Sequence, residues 1–179
     1  MSELKKLYDN KIKKELMKEL KLKNINEVPK IEKIVISMGL GKAIADKAML
    51  DEAIKDLSII SGQKPQVTTA RKSISNFKLR KGAKVGLKVT LRKERMYEFM
   101  ERFFNVAIPR IRDFRGISDN SFDGRGNFNL GISDHVIFPE IEYDKIKYSF
   151  GMNITFVIKS KNDQHSYALL KKLGMPFKK

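Results

Sequence analysis

The sequence predicts an α+β fold, a two-layer sandwich whose mixed or antiparallel sheet carries helices on one face and long functional loops. Three observations predict it. Several segments alternate with period two, apolar on one side and polar on the other, as strands of a sheet with one covered face do. Other segments repeat apolar residues every three to four positions, the pattern of helices laid on a core. No internal repeat and no Pro/Gly/Ser-rich linker divides the 179 residues, so the chain 1–179 reads as a single domain.

The elements follow in order. Leu4, Leu7, Tyr8, Ile12, Leu16, Met17 and Leu20 form the stripe of an amphipathic helix over about residues 2–23, where the spacing of Glu19 and Lys23 predicts an ion pair. After Pro29, residues 31–38 are rich in β-branched side chains and read as a buried strand. Gly39-Leu40-Gly41 turns the chain into a second helix, with Asp46 as N-cap, a stripe of Leu50, Ala53, Ile54, Leu57 and Ile60, and Gly62 at its end. A short strand is expected near Gln66–Thr69, then an exposed loop over 71–83. Residues 84–92 give the clearest strand: Val85, Leu87, Val89 and Leu91 on one face, Lys84, Gly86, Lys88, Thr90 and Arg92 on the other. The stripe Met96, Phe99, Met100, Phe103, Phe104 and Ala107 predicts a third helix that Pro109 stops. Residues 110–127 read as a long polar loop. Phe150, Met152, Ile154, Phe156 and Ile158 alternate with Ser149, Gly151, Asn153 and Thr155 in a last strand. Ser160 or Asn162 then caps a helix carrying Tyr167, Leu170 and Leu173.

Charge narrows the function. The 37 Lys and Arg exceed the 21 Asp and Glu, for a net charge of +16, and hydrophobic residues make up 41% of the chain, enough for a core. With no cysteine there is no disulfide scaffold and no thiolate site. Apolar runs are short, so a soluble, cytoplasmic protein is expected. Residues 57–93 hold ten basic groups and no acid, whereas the flanking stretches mix both signs. That window points to a polyanion partner.

Signs of catalysis are weak. Gly39-Leu40-Gly41 has Ile44 where a dinucleotide fingerprint needs its third glycine. Glu140, Glu142 and Asp144 alternate as on one strand face, which suits an acidic patch better than a magnesium site. Asp119 and Asp123 suit turn-making beside Arg115 and Arg125, and His135 and His165 read as surface or capping residues. No nucleophile–base arrangement is present, so neither an enzyme nor a cofactor is expected. The nucleic-acid reading is stronger. Lys88, Thr90 and Arg92 offer cations and a hydroxyl on a rigid strand, and Gly86 beside them lets a backbone approach closely. The adjoining loop adds Arg71, Lys72, Ser73, Asn76, Lys78, Arg80 and Lys81.

Gly62-Gln63-Lys64-Pro65, Thr69-Ala70-Arg71-Lys72-Ser73-Ile74 and Gly86-Leu87-Lys88-Val89-Thr90-Leu91-Arg92 closely resemble the 5S-rRNA-binding ribosomal protein family, large-subunit protein five, in its bacterial form. So do Pro109-Arg110-Ile111-Arg112-Asp113-Phe114-Arg115-Gly116, Ser121-Phe122-Asp123-Gly124-Arg125-Gly126-Asn127 and Phe138-Pro139-Glu140-Ile141-Glu142-Tyr143-Asp144, in the family's order. The resemblance implies an α+β sandwich in the central protuberance of the large subunit. It implies 5S rRNA, large-subunit rRNA, peptidyl-site tRNA and small-subunit head protein thirteen as partners, with no membrane and no small-molecule substrate. The implied 5S-facing residues are Ser37, Gln63, Lys88, Thr90 and Arg92, with Ser37 standing where the family often has Asn. The loop from Ser73 to Gly82 matches the tRNA-approaching loop, with Arg71, Lys72, Ser73, Asn76, Lys78, Arg80 and Lys81 as its implied contacts. Arg110, Arg112 and Arg115, with Glu140, Glu142 and Asp144, match the region facing the small subunit. A free-standing RNA chaperone or regulator would use the same basic footprint, and the long loops favour a protein wedged among several partners. An RNA-processing enzyme and a basic membrane-surface protein are weaker alternatives.

Overall fold

The computed structural model describes residues 2–41, 46–142 and 147–178. Five strands, β1 (Lys30–Gly39), β2 (Gln66–Thr69), β3 (Lys84–Leu91), β4 (Phe128–Ile132) and β5 (Met152–Lys159), form one antiparallel sheet in the order β2-β3-β1-β5-β4. The fold is α+β and the sheet does not close into a barrel. By packing, the chain divides into two compact units, one of Met1–Ile34, Leu91–Leu130 and Thr155–Lys179, the other of Val35–Thr90 and Gly131–Ile154.

In the first unit, α1 (Glu3–Leu7) runs through a π-helical turn, Tyr8–Ile12, into α2 (Lys13–Glu19). The buried residues Tyr8, Ile12 and Leu16 recur every four positions. An α-helix of 3.6 residues per turn would rotate that stripe away from the core, and the wider π turn holds it in place. The Tyr8 hydroxyl donates to the Pro29 carbonyl at 2.9 Å. The helix ends sooner than the expected residue 23, because Leu20 leaves helical geometry and Lys21 has φ 50°. The expected Glu19–Lys23 pair is replaced by a long-range one: Lys172 binds Glu15 at 3.0 Å and Glu19 at 3.1 Å. Following β3, α4 (Lys93–Arg102) passes into a π turn, Phe103–Ala107, and a 3-10 turn, Ile108–Arg110. Pro109 therefore lies inside the helical path, where its missing N–H costs little in a short terminal turn. Phe103 packs on Phe99 and Phe156, and Phe156 on Phe104 and Phe128, with ring centroids 5.7 to 6.4 Å apart. In this unit, α5 (Asp163–Lys172) starts at Asn162, which makes no side-chain cap; the Ser160 hydroxyl is engaged with Ser166 at 2.7 Å.

The second unit carries α3 (Lys47–Ser61), capped as expected by Asp46, whose carboxylate accepts the Ala48 N–H at 2.9 Å. Gly62 ends it at φ 62°, a conformation glycine adopts without steric cost. Leu50, Ala53, Leu57 and Ile60 are buried, as are Ile36, Met38, Leu87 and Val89. Register pairs Gln66 with Lys88, Val67 with Leu87 and Thr68 with Gly86.

The acidic segment departs from expectation. Residues 138–142 form turns, so Glu140 and Glu142 do not share a strand face; Asp144 lies outside the described residues. His135 is fully buried rather than at the surface: Nδ1 accepts the Phe150 N–H at 3.2 Å, and Nε2 lies 3.2 Å from Asp56 Oδ2. The two ring nitrogens thus face different partners, Nδ1 the Phe150 N–H and Nε2 the Asp56 carboxylate.

Candidate nucleic-acid interface

The sheet buries one side of its strands and leaves the other polar. In the second unit that open side carries Val35, Ser37 and Gly39 from β1, Gln66 and Thr68 from β2, and Gly86, Lys88 and Thr90 from β3. Gly131 from β4 and Asn153 from β5 complete it. Among these described residues there is no carboxylate. The alternation that creates this side is the period of the pleat itself: Leu87, Val89 and Leu91 are buried, while Lys88 is exposed and Thr90 half-buried. Gln66, opposite Lys88, adds an exposed amide.

Gly86 differs from expectation in what it admits. A Cβ there would fall against the Met38 carbonyl oxygen and within 3.2 Å of Thr68 Oγ1. The close approach it allows is that of the sheet's own backbone, at Met38 of β1. Ser37, Gly39, Gly131, Ser133, Gly151 and Asn153 border a shallow concavity of about 340 Å³ on this side. Asn153 escaped the sequence reading as a site residue, although its alternation with Ile154 and Phe156 was the available signal. β4 escaped altogether, being five residues long with a glycine inside.

The remaining expected residues are distributed. Gln63 lies in the turn after α3, its backbone held on both sides by Ser61: the Ser61 hydroxyl donates to the Gln63 carbonyl at 2.9 Å and accepts its N–H at 3.3 Å. The turn fixes where Gln63 stands, three residues before Gln66. Arg92 falls one residue beyond β3, in extended geometry. β3 stops at Leu91, and Arg92 is the N-cap of α4, in the other unit.

The segment expected as an exposed loop is a hydrogen-bonded hairpin. Ala70 and Ala83 join at its base (2.8 Å), and Ile74 and Leu79 exchange both backbone bonds, at 2.9 and 3.0 Å. Ser73 Oγ accepts the Lys81 N–H at 3.0 Å. A 3-10 turn, Ser75–Phe77, closes the tip, with Lys78 in left-handed geometry at φ 51°. Arg71, Lys72, Ser73, Asn76, Lys78, Arg80 and Lys81 line this hairpin, and Phe77 stands 75% exposed at the end.

Residues 110–127 are likewise pinned. Ile117 pairs with the chain end through Pro176 and Lys178, both at 2.9 Å. The Asp123 carboxylate accepts the Arg125 N–H at 2.8 Å, the Asn127 N–H at 3.0 Å and the Asn127 amide at 2.7 Å, which holds its pKa below the ordinary value. Asp163 accepts the Gly124 and Gly126 N–H groups at 3.0 and 2.6 Å. The turn-making expected of Asp123 is thus its role. Arg110, Arg112 and Arg115 are exposed here in the first unit, while Glu140 and Glu142 belong to the second.

A sheet side of amides, hydroxyls and one lysine, Lys88, beside a cationic hairpin, has the make-up of a nucleic-acid-binding surface. Residues 24–80 match the family described as Ribosomal protein L5, and residues 84–177 match the model of that family's C-terminus. The chain is 53% identical over 178 residues to the large ribosomal subunit protein uL5 of Geotalea daltonii, with 99% of both chains covered. It is 54% identical to that of Caldanaerobacter subterraneus, with 100% of both covered. Against that of Desulforamulus reducens it is 55% identical, with 100% of this chain and 99% of the other covered. The chain belongs to the ribosomal protein L5 family. It is a structural, RNA-binding component of the large subunit of the cytoplasmic ribosome and not an enzyme.

Proposed function

We propose that the protein binds 5S rRNA through the open sheet side, with Ser37, Gln63, Lys88 and Thr90 as its readers, and so attaches that RNA to the large-subunit rRNA in the central protuberance. The observation that carries this reading is the absence of any carboxylate among the described residues of that side, on a rigid surface that mixes hydroxyls, amides and Lys88. Lys88 there neutralises phosphate, and hydroxyls and amides meet 2′-hydroxyls and base edges across a shallow RNA groove. The hairpin from Arg71 to Lys81 approaches the peptidyl-site tRNA: it is stiff, cationic and free of acid, and Phe77 at its tip offers a ring for stacking. Contact with the small-subunit head and its protein thirteen is assigned to Arg110, Arg112 and Arg115 in the first unit and, separately, to Glu140 and Glu142 in the second, with Asp144 outside the described residues. Retention of RNA from total cellular RNA on the immobilised protein tests the central claim. 5S rRNA should be enriched over tRNA and messenger fragments at physiological salt, and uniform retention of all species would refute it.

A further inference from the structure

The first unit contains a strongly basic concavity that the sheet side does not use. It measures about 520 Å³ and is bordered by Lys5, Arg92, Lys93, Glu94 and Arg95, four cations against one carboxylate. Two distant parts of the sequence build it. At the end of β3, Arg92 is extended and Lys93 takes φ 52°, a left-handed conformation uncommon for a residue with a side chain. Three cations, Arg92, Lys93 and Arg95, stand within four residues at the start of α4. Lys5 comes from α1, which is tied to α4 by the Ser2 hydroxyl donating to Glu101 at 2.8 Å and by Tyr8 against Tyr97, with centroids 6.4 Å apart.

In this unit Lys172 has Glu15 and Glu19 beside it, and Lys161 has Glu27 at 3.3 Å. Among the described residues, Lys5, Arg92, Lys93 and Arg95 make no such pair. Four like charges held around one hollow repel one another, a cost that an anionic partner relieves. Arginine forks and lysine ammonium groups in that arrangement match a run of phosphates, and the start of α4 lacks a side-chain cap, leaving its first N–H groups available to the same anion.

We propose that this concavity is a second RNA-backbone site, holding consecutive phosphates of an RNA segment other than the one read by the sheet side. Arg92 thereby belongs to this second site. The word "second" rests on the 5S rRNA reading above; the phosphate-binding role does not. The protein then has one specific reader and one backbone grip, each in a different unit.

The test uses the full chain and a combined variant, Lys5→Gln with Lys93→Gln and Arg95→Gln, checked for folding by thermal melting; Lys5→Arg with Lys93→Arg serves as the charge-preserving control. A transcript of the large-subunit rRNA is titrated onto the preformed protein–5S rRNA complex at several salt concentrations. The combined variant should keep its 5S rRNA affinity within about threefold, while its salt slope for the large rRNA becomes shallower by about 2.7, roughly a hundredfold loss of affinity near 0.15 M salt. The arginine variant should bind as the parent does. Equal loss on both RNAs, or no loss on the large rRNA, would overturn the proposal. Displacement of the large rRNA by millimolar inorganic phosphate would also overturn it, since the site would then be one for small anions. If the parent fails to bind 5S rRNA, the reading of the sheet side falls, and titration of the large rRNA onto the free protein still decides this site.

Discussion

Replacing Lys88 with Gln removes one cation from the open side of β3 and leaves the backbone and the strand's packing alone. Lys88 is exposed and stands opposite Gln66, and among the described residues it makes no ion pair, so nothing in the protein discounts its charge. A phosphate contact by such a residue releases about one counterion, and the slope of log binding constant against log salt should become shallower by about 0.9. The same relation gives a loss of about fivefold near 0.15 M salt and less than twofold near 0.6 M. If six phosphates are neutralised in all, the parent slope is about −5. Thr90→Val makes the contrast: it removes a half-buried hydroxyl and no charge. It should leave the slope unchanged and cost roughly twofold to tenfold on 5S rRNA, the worth of one hydrogen bond, with no cost on unrelated RNA of equal length. Filter binding across a salt series, with both RNAs and both variants, reads all of these quantities. A Lys88→Gln protein whose deficit is the same at every salt concentration refutes the argument. So does a Thr90→Val protein that discriminates as well as the parent.

Deleting Ile74–Leu79 and closing the gap with a short Gly linker should leave melting temperature and 5S rRNA affinity nearly unchanged, because this tip is exposed, but should weaken tRNA binding at the peptidyl site of reconstituted ribosomes. Gly86→Ala should destabilise the protein by about 1–3 kcal/mol in urea denaturation, since its methyl group falls against the Met38 carbonyl oxygen, a neighbour that belongs to the sheet and cannot swing aside. Burial and the charge of Asp9 push the Tyr97 phenol up to about 12, so the native state favours the protonated ring. That stability is intact below pH 10 and falls as pH rises from 10 towards 12; in urea titrations near pH 9 and pH 11, Tyr97→Phe should lose about 1 kcal/mol less than the parent.

What the sequence determined by itself was local. The Asp46 cap and the Gly62 stop rest on contacts within a few residues, the alternation from Val85 to Leu91 and the bounds Gln66–Thr69 on residue identity along the segment, and the structure keeps each of them. The concentration of ten cations in 57–93 and the ordered motifs of the L5 family were equally legible, because composition and residue identity need no coordinates. Tertiary structure decided whatever depends on partners far along the chain. Glu19 turned from its neighbour Lys23 to Lys172 because α5 is packed within reach, and a close ammonium group outweighs a helix-spaced one at a fraying end. His135 is buried because Phe150 and Asp56 surround it, neither of which its own neighbours announce. Residues 71–83, polar enough to read as loop, became a hairpin when Ile74 and Leu79 satisfied each other's backbone groups. The same holds for the interface. Its chemistry was written in Lys88 and Thr90, but period two assigns residues only to one side or the other of a single strand. Which strands lie side by side, which side stays open and that β3 ends before Arg92 are properties of the assembled sheet, set by hydrogen bonds between segments tens of residues apart.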